Sequence, residues 1–283
     1  MMMSSMLDAM CAVGLAPWKN LDLRADGRLM RYRVEGDKPG SRNGWAVLHD
    51  GPMRAGAFGS WKTGETHTWC ATPSPNARPP TPAERAALQR AMKAAQQARL
   101  DEQRAVHASA RERAQKLWAR ARPAQDDHPY LRRKGVPVIP AIGMRQLRDA
   151  LLIPARDADG TLHTLQFIGP DGAKRFLTGG RIKGCYFAIG RGRPERCLLL
   201  AEGLATGSTL YQATGHAVAV AFNCANLEPV ARALRARFPA LRLVVCADND
   251  QHTPGNPGVT HAQAAARAVG GFVAIPRFAR NVA

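Results

Sequence analysis

The sequence predicts an α/β fold: a parallel sheet flanked by helices, preceded by an antiparallel β-meander, a long helical segment and a small β-rich module. Three observations carry that reading. From Cys197 onward, apolar runs alternate with helical segments: CLLLAEG, LATGSTLYQATG, HAVAVAF, NLEPVARALRARFP, LRLVVCA, VTHAQAAARAVGG and FVAIP. Strands so uniformly apolar need cover on both faces, which crossover helices supply. Between Leu151 and Gly190, apolar runs alternate with DG turns, as antiparallel hairpins do. Between 83 and 122 there is no Gly and no Pro, only a run rich in Ala, Arg, Gln and Glu. That composition makes one long helix or a helical hairpin.

Taken in order, residues 1–19 carry little pattern and are expected to form a loose arm. Leu21 to Ala71 completes a module over 1–71, rich in Gly, Trp and DG or NG turns. Trp45, Trp61 and Trp69 stand among Arg42, Arg54 and Lys62. Aromatics interleaved with cations stack bases and hold phosphates, so Trp61 and Lys62 are nucleic-acid candidates. The plainer reading makes the tryptophans the core of a small sheet. His49, His67 and Cys70 fit no familiar metal spacing. Residues 72–82, ATPSPNARPPTP from Ala71 onward, read as a Pro-rich linker. Thr81 is placed to cap the helix over 83–122. The meander occupies 127–192, opened by HPYLRRKGV, and the parallel sheet 193–283.

Composition narrows the function. The 283 residues are 45% hydrophobic, enough for one large core or two modest ones. A formal net charge of +18, with Arg about four times as frequent as Lys, favours an acidic partner such as nucleic acid. An arginine-rich surface without that role is the bland alternative. The six cysteines show no CxxC spacing, so a zinc ribbon is not expected. No apolar run approaches the roughly 20 residues that span a bilayer. The opening MMMSSMLDAM lacks the pattern of a signal peptide, so a cytoplasmic chain is expected.

The chemistry concentrates at two strand ends. CLLLAEG ends in Glu202, and LRLVVCADND ends in Asp248 and Asp250. Ligands of open parallel sheets collect outside the carboxyl ends of the strands. A lone Asp at such a place is usually a turn former or cap. Two acids at alternate positions, with a third after another apolar strand, suggest more. If the two strands are neighbours, the three carboxylates converge and need a counter-charge. An oxygen-only donor set suits Mg²⁺ or Mn²⁺ completed by substrate phosphates.

AEGLATG, followed some forty residues on by VVCADND, resembles the Toprim domain. That domain is shared by bacterial-type primases, type IA and II topoisomerases, RecR-like repair proteins and OLD-type nucleases. HPYLRRKGV, the DG meander, KRFLTGGRIKGCYFAIG and ADNDQHTPGNPGVTHAQAA extend the likeness to Toprim-bearing primases and primase-helicases of phages and mobile plasmids. The resemblance covers Asp127 to about Pro276. It implies a Toprim-type sheet with Glu202 as the acid assisting proton transfer or metal binding, and Asp248 and Asp250 as Mg²⁺ holders. Lys174, Arg175, Arg181 and Lys183 resemble the basic stretch that contacts template or nucleotide phosphates. The implied function is a primase-like nucleotidyltransferase making short RNA primers on single-stranded DNA. Ribonucleotides would be its substrates and a separate replicative helicase its partner, since GxxxxGK[ST] does not occur. One departure stands out: FVAIPRFARNVA lacks the further acid many active relatives supply after the fourth strand, so fewer metal ligands are expected. A non-catalytic nucleic-acid-binding replication protein and a Toprim nuclease are the alternatives.

Overall fold

The computed structural model describes residues 5–50, 54–71, 81–138, 143–190, 196–251 and 253–276. Most of the Pro-rich linker, residues 72–80, lies outside them, as does the tail from residue 277. Contacts divide the chain into two units, Met1–Arg104 and Ala105–Ala283.

The first unit opens with a helix, α1 (Met6–Ala12), where a loose arm was expected. Two local features account for it. Ser5 and Asp8 form a reciprocal capping box, and Met6, Ala9 and Met10 bury one face. Four strands follow: β1 (Met30–Tyr32), β2 (Gly44–His49), β3 (Ala55–Ser60) and β4 (Thr66–Cys70), in an antiparallel sheet of order β1-β2-β3-β4. Tyr32, Val34, Ala46, Leu48 and Phe58 point to α1 and make its core. His67 stacks on Phe58 on that side, while His49 and Cys70 fall on the other by strand alternation. The three cannot therefore share a metal.

A single 39-residue helix, α2 (Pro82–Arg120), follows, and the division between units falls within it. Its start is fixed by Thr81 and Glu84: the Thr81 N–H donates to Glu84 Oε2 at 2.8 Å, and the Glu84 N–H to Thr81 Oγ1 at 3.2 Å.

In the second unit, β5 (Arg122–Pro123), a short helix α3 (Pro129–Lys134), β6 (Arg145–Leu147), β7 (Ala150–Arg156), β8 (Leu162–Ile168) and β9 (Lys174–Phe176) follow in turn. The strands form an antiparallel sheet in chain order. Ala114, Leu117 and Trp118 of α2 pack on its Leu152 and Leu165 side. Then come β10 (Phe187–Ile189), β11 (Cys197–Ala201), α4 (Leu204–Thr214), β12 (Ala217–Val220), a 3₁₀ turn (Cys224–Asn226), α5 (Leu227–Arg237), β13 (Arg242–Cys246), α6 (Pro257–Val269) and β14 (Phe272–Ala274). Their sheet has the order β10-β12-β11-β13-β14, parallel except for β10. Alternation sorts its side chains. Leu198, Leu200, Ala219, Leu243 and Val245 meet α5 and α6; Leu199, Ala201, Val218 and Val220 meet α4 and the meander. Both faces are covered, which is why these strands read as unbroken apolar runs.

Candidate active site at the strand ends

The two strands that end in acid are neighbours. β11 and β13 pair in parallel, with Ala201 opposite Cys246, so Glu202 and Asp248 leave the sheet side by side at its carboxyl edge. Each arrives by a different device. Glu202 precedes Gly203, the N-cap of α4, and its carboxylate accepts the backbone N–H of Cys224 in the 3₁₀ turn. Asp248 accepts from the Thr206 hydroxyl, in the first turn of α4, at 3.3 Å. Thr206 was not singled out from the sequence. A Thr two residues inside a helix gives no signal until the fold sets it beside β13.

The loop after β13 is held from α6. Asn256 adopts a left-handed conformation (φ 40°) at the α6 N-cap. Its Oδ1 accepts the Asp250 N–H at 3.1 Å, and its Nδ2 donates to Asn249 Oδ1 at 2.9 Å. Asn249 in turn donates to the Pro276 carbonyl at 3.0 Å. Gly258 lets the first turn of α6 lie against this loop. A Cβ there would strike the Asp248 carbonyl and stand 3.0 Å from Asp250 Oδ2. The positive end of the α6 dipole thus lies beside Asp250.

The electrostatics are strained. Burial, then the charges of Asp248 and Asp250, push the Glu202 pKa above its ordinary value. Asp248 is also raised, by burial first and Asp250 second, with the Thr206 hydroxyl pulling the other way. Lys174, exposed at the start of β9, stabilises both ionised forms. Among the described residues, no three or more His, Cys, Asp or Glu side chains stand close enough to form a ready-made metal cage. The carboxylates that lie within reach are oxygen donors at the edge of a crevice. Such a set fits a cation like Mg²⁺, which keeps waters and takes one or two carboxylates plus substrate phosphates. It does not fit a closed all-protein site.

The other sequence candidates separate. Arg175 is exposed, with its guanidinium 5.6 Å from the Phe167 ring. Next to it, Phe176 meets Phe222 edge-on at 5.4 Å. Lys183 is exposed. Arg181 is occupied: its Nη2 lies 3.2 Å from Asp157 Oδ2 and 2.9 Å from His163 Nε2. Asn226, unremarked in the sequence, ties this basic stretch to the sheet. Buried to 4% exposure, it accepts the Gly184 N–H at 2.8 Å and donates to the carbonyls of Cys185, Ala221 and Ile182 at 2.9, 2.9 and 3.2 Å. In the first unit, Lys62 pairs with the buried Asp37 at 2.6 Å, and Trp61 lies under the Arg31 guanidinium at 4.2 Å.

Residues 197–276, which carry this geometry, match the Toprim domain. The chain as a whole is similar to two proteins described as DNA primase TraC, both from Escherichia coli. It is 38% identical to one over 261 residues and 36% identical to the other over 263, covering 90% of this chain each time. It spans 24% of the length of the first and 18% of the second. Among solved structures it is similar to the primase fragment of bacteriophage T7 primase-helicase protein. That likeness has a TM-score of 0.38 and 13% identity, covering 49% of this chain and 59% of the other.

Proposed function

We propose that the chain is the nucleotidyltransferase part of a primase, joining ribonucleotides on single-stranded DNA at the crevice of Glu202, Asp248 and Asp250. One observation carries the reading. Glu202 and Asp248 sit at the ends of adjacent parallel strands, with a lysine close enough to stabilise both. The similarity to DNA primase TraC supports it over a nuclease. Asp248 and Asp250 would hold Mg²⁺ or Mn²⁺, with Glu202 beside them. Bound there, the metal supplies activation of a primer 3′-hydroxyl and charge neutralisation at the departing pyrophosphate.

The protein's own groups do the rest. Thr206 fixes the Asp248 carboxylate, and the Cys224 N–H fixes that of Glu202. Glu202, whose proton affinity is raised by burial and by its neighbours, is suited to take a proton from an attacking hydroxyl. Lys174 meets the phosphates; Arg175 stacks on Phe167 on the opposite, α2-facing side of the meander, and Lys183 is exposed in the loop before β10. Arg181 contributes by bracing the loop through Asp157. In this reading the chain serves plasmid or phage replication in the cytoplasm. No described helix is long and apolar enough to cross a membrane. A separate helicase would expose its template.

The test is template-dependent synthesis from ribonucleotides on single-stranded DNA with Mg²⁺ or Mn²⁺, run beside Glu202→Gln and Asp248→Asn. The native chain should yield product, and each variant about 100-fold less or lower still. Equal product from all three would sink the assignment. So would none from the native chain where a control primase works.

A further inference from the structure

The sheet of the first unit has two faces of different character. One is closed by α1 and its core. On the other, strand alternation places Arg31, Trp45, Val47 and His49 beside Ala57, Thr66 and Thr68. Three tryptophans of this unit each carry an arginine over the ring. Arg31 lies 4.2 Å from Trp61, Arg33 4.4 Å from Trp18 and Arg99 4.2 Å from Trp45. Arg33 belongs to the same side as Arg31, because Tyr32 and Val34, which alternate with them, are buried against α1.

The part of α2 within this unit spans that face and encloses a cavity of about 340 Å³. Trp45, Val47, Ala57 and Thr68 line it from the sheet, Lys93 and Arg99 from the helix. That volume lies at the small end of ligand sites, roughly 300–1,000 Å³. No carboxylate is among the described lining residues, although two cations are. Arg99 is partly buried, its guanidinium stacked on Trp45, and its hydrogen-bond partner is the Thr66 hydroxyl at a long 3.5 Å. Burial lowers its pKa, so the charge is held at a cost. Stacking fixes the direction in which the planar donor fork faces. Trp18 stands 52% exposed at the end of the row. Glu102 of α2 is the acid that acts on Arg31; Arg33 donates to the Asp37 carbonyl at 2.8 Å, and burial alone perturbs Arg99.

We infer that this face is a second nucleic-acid site, binding a single strand independently of the strand-end crevice. One nucleotide enters the cavity, its phosphate on Arg99 and Lys93 and its base over Val47 and Ala57. Neighbouring nucleotides follow the Arg31–Trp61 and Arg33–Trp18 pairs. A duplex is excluded because its bases are stacked inside and cannot enter a cavity of this size. A cavity whose described charged lining residues are Lys93 and Arg99 selects a polyanion, and indole and guanidinium planes accept any unpaired base. The bound strand is therefore read for being single, with little regard to sequence.

The experiment measures binding of the full chain to labelled oligodeoxythymidylate, to oligouridylate and to a DNA duplex, at fixed salt. An Asp248→Asn chain is used throughout, so failure of the primase reading leaves the result intact. Lys93→Glu and Arg99→Glu should each weaken single-strand binding about tenfold and leave duplex binding unchanged. Lys93 is exposed, so that variant tests the site without disturbing the fold. Binding of both single strands identifies the shared phosphate-and-base chemistry; a preference for either names the natural strand. Photo-crosslinks from 5-iodouracil oligonucleotides should map to peptides holding Trp45 or Trp61. Unchanged affinity in Lys93→Glu, with crosslinks confined to residues 127–276, would overturn the inference. So would competition by polyglutamate as strong as by oligonucleotide, which would point to an acidic protein instead.

Discussion

At the ends of β11 and β13 the chain gathers carboxylates; on the outer face of the N-terminal sheet it gathers guanidiniums. The first group is built by the backbone. Parallel pairing brings two strand termini together, with Glu202 one residue past β11 and Asp248 two past β13. The second is built by side chains, each arginine propped on an indole that reaches it from another segment. Like charges crowd in the first and are spread out in the second. A crowded site is poised to take a cation, a spread one to follow a polyanion.

The comparison can be broken at its supports, and the largest effect is expected at Asn226. Asn226→Ala removes four hydrogen bonds from a buried amide, taking that partner from the Gly184 N–H and the Cys185 and Ala221 carbonyls, while the Ile182 carbonyl keeps the Cys185 N–H. Loss of about 3 kcal/mol in urea unfolding is expected. A loss near zero would show that the loop is held by other contacts. Gly258→Val comes next. Its side chain must displace the Asp248–Asp250 loop from α6, which costs about 1–3 kcal/mol and lowers Mg²⁺ affinity measured by calorimetry. Thr206→Val keeps the shape and removes one hydrogen bond to Asp248, about 1 kcal/mol. It should lower kcat more than it raises KM.

Acid sharpens the contrast, because it acts with opposite sign in the two units. Asp37 has its pKa held down, by the Lys62 hydrogen bond first and by Asn43 and Ser41 after it, against the opposing effect of burial. Its stabilisation is complete above the unfolded value of about 3.9 and is lost as pH falls through the lower folded value. Glu202 and Asp248 have raised values, so the fold carries them ionised at a cost that disappears as pH falls through those values. Metal-free Glu202→Gln should therefore be more stable than the native chain at pH 7 and equal to it near pH 4. Equal stability at both, followed by hydrogen exchange of the second unit, would contradict the crowding.

How much was legible follows the same division. Apolar runs ending in acid announced β11 and β13, and their parallel pairing sets Glu202 and Asp248 at neighbouring strand ends, as the sequence allowed. The parallel sheet was legible for the same reason: strands buried on both faces leave no polar alternation. α1 was missed because a seven-residue helix is too short to show a period and rests on its cap and its contact with the sheet. Trp61 and Lys62 are adjacent in sequence but diverge: one lies under Arg31, the other is paired to Asp37. Arg181 looked like part of a basic run until Asp157 and His163, from the β7–β8 hairpin, were set against it. Arg99 and Trp45, 54 positions apart, meet only in the fold.

Single-turnover incorporation of a labelled ribonucleotide at saturating single-stranded template separates the two sites. It is run with the native chain, with Asp248→Asn and with Arg99→Glu. Asp248→Asn should lose turnover about 100-fold while still binding template. Arg99→Glu should need more template and then turn over at the native rate. Native turnover by Asp248→Asn would contradict a catalytic role for the strand-end carboxylates, whatever Arg99→Glu does.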